Sequence, residues 1–207
     1  MRGRFITLEG GEGAGKSTQS RLLAAALEAR GLRVVLTREP GGSEGAEMVR
    51  TLLMQGDQDR WSARAETLLF AAARADHVAK VIEPELAAGA WVVCDRFVDS
   101  TRAYQGASGI ADADILALHD FGSHGLLPDR TLLLALPPEQ GVRRATERDG
   151  TDADRFVSRD VSFHERVVTA FDRLAAREPA RVRRIVATDG PERVAAAIMA
   201  ELADLLP

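Results

Sequence analysis

The sequence predicts an α/β fold in three layers, a five-stranded parallel sheet with helices on both faces and a small lid. Three observations carry this. Short apolar, β-branched runs alternate with longer stretches of helical spacing along the 207 residues, as in a parallel sheet covered on both sides. The first apolar run passes through a glycine-rich turn straight into a helical stretch. The residues with chemistry to offer come just after the strand-like runs, where open parallel sheets bind their ligands.

The elements follow in order. Phe5–Leu8 is the first strand, and a helix over 16–30 follows, with Gly31 as its C-cap. Arg33–Thr37 is the second strand, and Pro40-Gly41-Gly42 forces an irregular turn after it. Helices are expected over 44–55 and over 62–88, the latter with Ser62 as N-cap. Trp91–Cys94 is the third strand and ends at Asp95. A helix over 112–124 precedes the fourth strand, Arg130–Leu136. Helices over 139–148 and 157–177 flank an arginine-rich loop, and the segment 143–156 suits a mobile lid. Arg183–Ala187 is the fifth strand, and Pro191 sits near the start of a helix over 191–206. No repeat, low-complexity tract or linker divides the chain, so residues 1–207 read as one domain.

Composition narrows the function classes. A net charge of −4 and a pI near 5.6 imply no global attraction to nucleic acid or to an anionic membrane. Cys94 is the single cysteine, so no internal disulfide forms, and its apolar setting reads as a buried strand. No apolar run approaches the ~20 residues of a membrane span. The first strand begins within a few residues of Met1, so no secretory leader is expected. A cytoplasmic protein is expected.

The turn after the first strand is Gly10-Gly11-Glu12-Gly13-Ala14-Gly15-Lys16-Ser17, followed by Thr18. Strand, G-x-x-x-x-G-K-S and helix together make a P-loop, and the fold expected is that of the P-loop NTPases. Backbone N–H groups and the helix N-terminus hold phosphate oxygens there. Lys16 reaches the β- and γ-phosphates, and the Ser17 hydroxyl suits Mg²⁺. The chain uses 25 arginines and only two lysines, Lys16 and Lys80. One of the two is placed where a compact ammonium is needed and a planar guanidinium does not substitute.

Other strand ends add to this. Arg38 is delivered by the second strand; the alternative, when the stretch is taken alone, is a surface arginine before a turn. Asp95 is placed to approach a metal beside a P-loop, and Arg96 to grip a second phosphate bidentately. Ser100, Thr101, Tyr104 and Gln105 form a polar and aromatic cluster suited to a small ring. Phe70 and Arg74 are i,i+4 and share a face. They could stack a base and bond its edge, or be a core aromatic and a snorkelling arginine. The four histidines show no metal-ligand spacing, and Arg181, Arg183 and Arg184 read as solvated surface.

Together these stretches resemble bacterial thymidylate kinases, within the nucleoside-monophosphate kinase group. The resemblance rests on Phe5–Thr18, Thr37–Gly42, Leu69–Arg74, Val81–Pro84, Asp95–Phe97, Ser100–Gly106 and Pro128-Asp129, in order over nearly the whole chain. It implies transfer of the ATP γ-phosphoryl group to dTMP with Mg²⁺, in a homodimer. It implies that Gly10 to Thr18 hold the ATP phosphates, with Ser17 and Asp95 at the metal. Arg38 and Arg96 grip the dTMP phosphate. Phe70 stacks on thymine, Arg74 bonds its edge, Thr101 and Gln105 line the base pocket, and Ser100 is a further substrate-binding residue. Tyr104 crowds the 2′ position, and Glu12 contacts the 3′-hydroxyl. Arg148 and Arg155 of the lid supply transition-state charge, and Arg143 and Arg144 lie beside adenine. Two positions depart from the family pattern: Val157 stands where a Glu is expected, and Phe163-His164 where two aromatics often occur.

The residues bear on two alternatives. A nucleotide-switched module of the GTPase type needs an N-K-x-D motif, and the chain contains no asparagine. A kinase for another nucleoside monophosphate is opposed only through the resemblance.

Overall fold

The computed structural model describes residues 2–57, 59–149 and 155–207, with backbone alone for 148 and 149. Five strands, β1 (Phe5–Glu9), β2 (Val34–Arg38), β3 (Trp91–Asp95), β4 (Arg130–Ala135) and β5 (Val182–Val186), form one parallel sheet in the order β2-β3-β1-β4-β5. This is the P-loop NTPase arrangement that the sequence predicts. The register aligns the functional ends: Arg38 pairs with Asp95, and Asp95 with Leu8.

Helices cover both faces. On one, α1 (Lys16–Glu28) and α9 (Pro191–Ala200) pack with the sheet around Leu23, Leu27, Leu132, Leu134 and Ile198. On the other, α5 (Val98–Ala107) and α8 (Val161–Arg177) enclose Tyr104, Leu133, Phe163 and Phe171. A third apolar cluster gathers Phe5, Val92, Cys94 and Phe97 with Ile82 and Ile115. The remaining helices are α2 (Glu44–Met54), α3 (Ala63–His77), α4 (Glu83–Ala87), α6 (Asp112–Ser123) and α7 (Pro138–Asp149). Ser62 caps α3 by accepting from Ala65 N, Pro191 opens α9, and Cys94 is buried, as expected.

Five features differ from the sequence reading, the simplest being that α9 stops at Ala200 and not at 206. The helix expected over 62–88 is interrupted by a π-helical turn, Val78–Ile82. Pro84 lacks an N–H, and its ring crowds the carbonyl four residues back, which a wider turn relieves. The segment Val98–Ala107, assigned no element from sequence, is helix α5. Helix α8 starts at Val161 and not at 157, because Asp160 caps it by accepting from Phe163 N at 2.6 Å. Arg181, read as solvated, is largely buried. It donates to both oxygens of Asp99, at 2.7 and 3.0 Å, and to Glu178. Asp99 is buried on α5, and such a carboxylate needs paired cations, which Arg181 and Arg102 supply.

Candidate active site

The carboxyl ends of β1, β2 and β3 open into a cavity of about 430 Å³. Its walls include Glu12 to Thr18, Arg38, Phe70, Arg74, Asp95, Arg96, Ser100, Thr101, Tyr104 and Gln105. Most residues singled out in the sequence therefore meet in one place, although they come from five separate stretches.

The phosphate loop is held from two sides. Gly13 has φ +63, and a Cβ there would lie 2.0 Å from the carbonyl oxygen of Gly141 in α7. Only glycine permits that approach. Arg144 lies at the same contact, its Cβ 3.1 Å from where the Gly13 Cβ would be. Arg143 faces Glu147 on the exposed side of α7. Neither arginine lines the cavity. Gly10 and Gly11 border a separate cavity of about 280 Å³, formed with residues 133–138 and Phe171.

Within the loop, Lys16 Nζ donates to the carbonyl oxygens of Gly10 (3.2 Å) and Gly11 (2.7 Å). Burial and the nearby Arg96 charge bring its pKa down to about 8, against the pull of Glu12 and Asp95. Ser17 Oγ donates to Asp95 Oδ2 at 2.6 Å. These two hard oxygen donors at the mouth of a phosphate loop are the kind that Mg²⁺ takes.

Arg96 occupies the left-handed region, with φ 70. Its backbone is over-determined: its own N–H donates to Leu8 O, and the following Phe97 N–H donates to Glu9 Oε1 at 2.8 Å. The guanidinium then reaches Gly10 O, Ser100 Oγ, Glu12 Oε1 and Tyr104 OH. Tyr104 OH also donates to Glu12 Oε1 at 2.7 Å. Burial pushes the Glu12 carboxyl up. Arg96, Lys16 and Tyr104 outweigh that and bring it down to about 2. Glu9, beneath them, is pushed up to about 8 by burial and by Asp99.

The opposite wall is built around Arg74, which is 3% exposed. Its Nε donates to Glu39 Oε2 (2.8 Å) and its Nη2 to Thr101 Oγ1 (2.7 Å). The second Glu39 oxygen meets His77 Nδ1 at 3.1 Å, and His77 Nε2 meets Thr37 Oγ1 at 2.8 Å. A Cβ on Gly42 would strike His77 and Thr37, so the turn after β2 closes tightly over this chain of contacts. Phe70 lies one turn from Arg74 beside Phe156, with ring centroids 5.9 Å apart.

Two lid assignments fare differently. Arg155, expected over the phosphates, is instead buried away from the cavity. It pairs with Glu66, and its Nε donates to Leu53 O at 2.7 Å. The buried Glu66 carboxylate demands a cation, and Arg155 is nearer to it than Arg159, which stands 3.9 Å away. The Arg148 side chain and residues 150–154 of the expected lid lie outside the described residues. Sequence reasoning missed Arg50 and Met54, which line the cavity; Arg50 donates to Pro40 O at 2.8 Å. Their i,i+4 spacing on α2 is the signal that could have found them.

Comparison with known proteins is consistent along the whole chain. The family model described as thymidylate kinase matches residues 8–198. The thymidylate kinase of Rhizorhabdus wittichii is 61% identical over 208 residues, covering 100% of both chains. That of Caulobacter vibrioides is 53% identical, covering 95% of this chain and 94% of its own. The crystal structure of thymidylate kinase from Ehrlichia chaffeensis superposes with a TM-score of 0.78 at 35% identity, covering 98% of this chain and 99% of its own.

Proposed function

The chain belongs to the thymidylate kinase family, and from that premise we propose how the cavity at the ends of β1, β2 and β3 carries out the family reaction, phosphorylation of dTMP by ATP. The carrying observation is that the phosphate loop, two arginines at strand ends and an aromatic wall share that cavity. ATP phosphates lie on Gly10 to Thr18, with Lys16 on the transferred group. Arg143 and Arg144, on the helix packed against Gly13, lie toward the adenine. The acceptor phosphate sits between Arg38 and Arg96. Thymine lies on Phe70 with its edge on Arg74, beside Ser100, Thr101 and Gln105. Tyr104 fills the space at the sugar 2′ position, and Glu12 faces the 3′-hydroxyl.

Ser17 and Asp95 would hold Mg²⁺, which when bound offsets the charge of the phosphates. The protein's own share is positioning and charge. No side-chain nucleophile is required, because the acceptor phosphate attacks in line. Of the two lid arginines, Arg148 is the proposed source of transition-state charge, because Arg155 is engaged with Glu66.

Residues 1–207 are proposed to act as one catalytic domain with the lid at 143–156. A homodimer is proposed through α2, α3 and α6, where Met48, Leu68 and Phe121 expose large apolar side chains, Phe121 at 88%. No described helix is long and apolar enough to cross a membrane, and the proposed setting is the cytoplasm.

The test is ADP release from ATP and Mg²⁺ with dTMP, dUMP, UMP, dCMP, AMP, GMP or no acceptor. Preference for dTMP is expected. A preference for another acceptor would discard the thymine assignments, and acceptor-independent release would make the chain an ATPase.

A further inference from the structure

We propose that Glu66 is a positioning residue that decides which base edge the cavity accepts. Glu66 lies in the first turn of α3 and is 2% exposed. Its two oxygens have different duties. Oε2 is paired with Arg155 Nη2, and Oε1 accepts from Gln105 Nε2 at 2.9 Å. Arg159 Nη2 stands 3.9 Å from Oε2. A carboxylate this deep persists when cations compensate it, and Arg155 does so.

An ionised carboxylate accepts hydrogen bonds and cannot donate them. Gln105 must therefore turn its amino group toward Glu66, because the flipped amide would set two acceptors face to face. Its oxygen is left pointing elsewhere. That oxygen is buried and has no hydrogen-bond partner among the described residues, and Gln105 lines the cavity. A buried acceptor without a partner calls for an N–H.

On the neighbouring wall Arg74 offers only donors. Donor and fixed acceptor together match a base edge with a ring N–H beside a carbonyl. Thymine has that edge at N3–H and O4. Cytosine reverses it, with a bare ring nitrogen beside an amino group, and meets a like partner at both places. Glu66, held by Arg155, thus turns an amide that could face either way into a fixed acceptor. This rests on the reading that the base lies against Phe70, Arg74 and Gln105.

The experiment measures kcat/KM for dTMP, dCMP and N3-methyl-dTMP at saturating ATP and Mg²⁺. The unsubstituted enzyme is expected to reject the last two. Equal use of dTMP and its N3-methyl form would overturn the base reading itself, and this inference with it. If that reading holds, Glu66→Gln is expected to narrow the dTMP:dCMP ratio by about tenfold or more, chiefly through KM for dTMP. The KM for ATP is expected to stay unchanged. Equal loss with both acceptors, leaving the ratio intact, is what a purely structural role gives and overturns the proposal. The paired exchange Glu66→Gln with Gln105→Glu keeps the buried charge and reverses the hydrogen bond. It again presents an acceptor to the cavity, and is expected to restore the ratio to within about threefold of the unsubstituted enzyme. A folded exchange variant with the ratio lost overturns the proposal, and this variant decides alone if the single substitution does not fold.

Discussion

Arg38 ends β2 in register with Asp95, yet its guanidinium turns to Glu47: Nη2 donates to both carboxylate oxygens, at 3.0 and 3.1 Å. Glu47 also accepts from Gly42 N at 2.9 Å. One carboxylate therefore braces both the arginine and the turn that follows it. The pair is about half exposed, so it orients Arg38 more than it stabilises the fold.

Arg38→Ala removes one of the two cations assigned to the acceptor phosphate. A fall in kcat/KM for dTMP of about a hundredfold or more is expected. An unchanged value would remove Arg38 from the site.

Tyr104→Ala opens the space beside Glu12 and Arg96. The preference for dTMP over its ribose counterpart is expected to narrow by about tenfold, the scale of small steric discriminations. Steady-state rates with both nucleotides give the ratio, and an unaltered ratio would leave the sugar ungated by this ring.

Lys16 is charged in the free enzyme below about pH 8, because burial and Arg96 depress its pKa to that value. kcat/KM for ATP is expected to fall as pH rises through 8, since this parameter reports groups of the free enzyme. A profile flat to pH 10 would contradict the assignment.

Glu9 stays protonated in the fold up to about pH 8, whereas the ordinary value is 4.5. Its folded pKa is raised, so the folded chain binds more protons between those values. The stability this contributes is full below 4.5 and is lost as pH rises through 8. Glu9→Gln, neutral throughout, is expected to flatten that slope and to raise stability at pH 9 by on the order of 2 kcal/mol. Denaturant melts at pH 5 and pH 9 measure it. The same slope in both proteins would assign the pH dependence elsewhere.

Gly42→Ala sets a Cβ 2.4 Å from His77 Nε2 and 2.5 Å from Thr37 Oγ1, at φ +88. A loss of about 2 kcal/mol or more is expected, from strain plus overpacking. Thermal unfolding checks it; an unshifted Tm would mean that the turn relaxes freely.

The sheet was legible because its central strands β1, β3 and β4 are mostly apolar runs, which burial on both faces requires. The phosphate loop was legible because its chemistry is local, eight residues that do the work together. Helix α5 was not, because one side carries Ser100, Thr101, Tyr104 and Gln105 toward the cavity and another carries Asp99 and Arg102 into ion pairs. Little apolar periodicity survives such double duty. Glu39 and Glu66 stayed hidden for another reason. Their partners Arg74 and Gln105 lie 35 and 39 residues away, and nothing local marks a carboxylate as a distant brace. Arg155 shows its charge in the sequence, but its acceptor stands 89 residues earlier.

The order of the strands makes the sheet a ruler. Strand β3 stands between β1, which feeds the phosphate loop, and β2, which ends in Arg38. On the proposed assignment, two interstrand steps of about 4.8 Å therefore separate the donor side from the acceptor side, roughly 10 Å in all. Backbone hydrogen bonds mark that length, and neither nucleotide can stretch it. On that same proposed assignment, the reach of the Arg38 and Lys16 stems closes the remaining gap between the two phosphates. A shorter side chain at position 38 or 16 would leave a gap that the stiff frame could not take up.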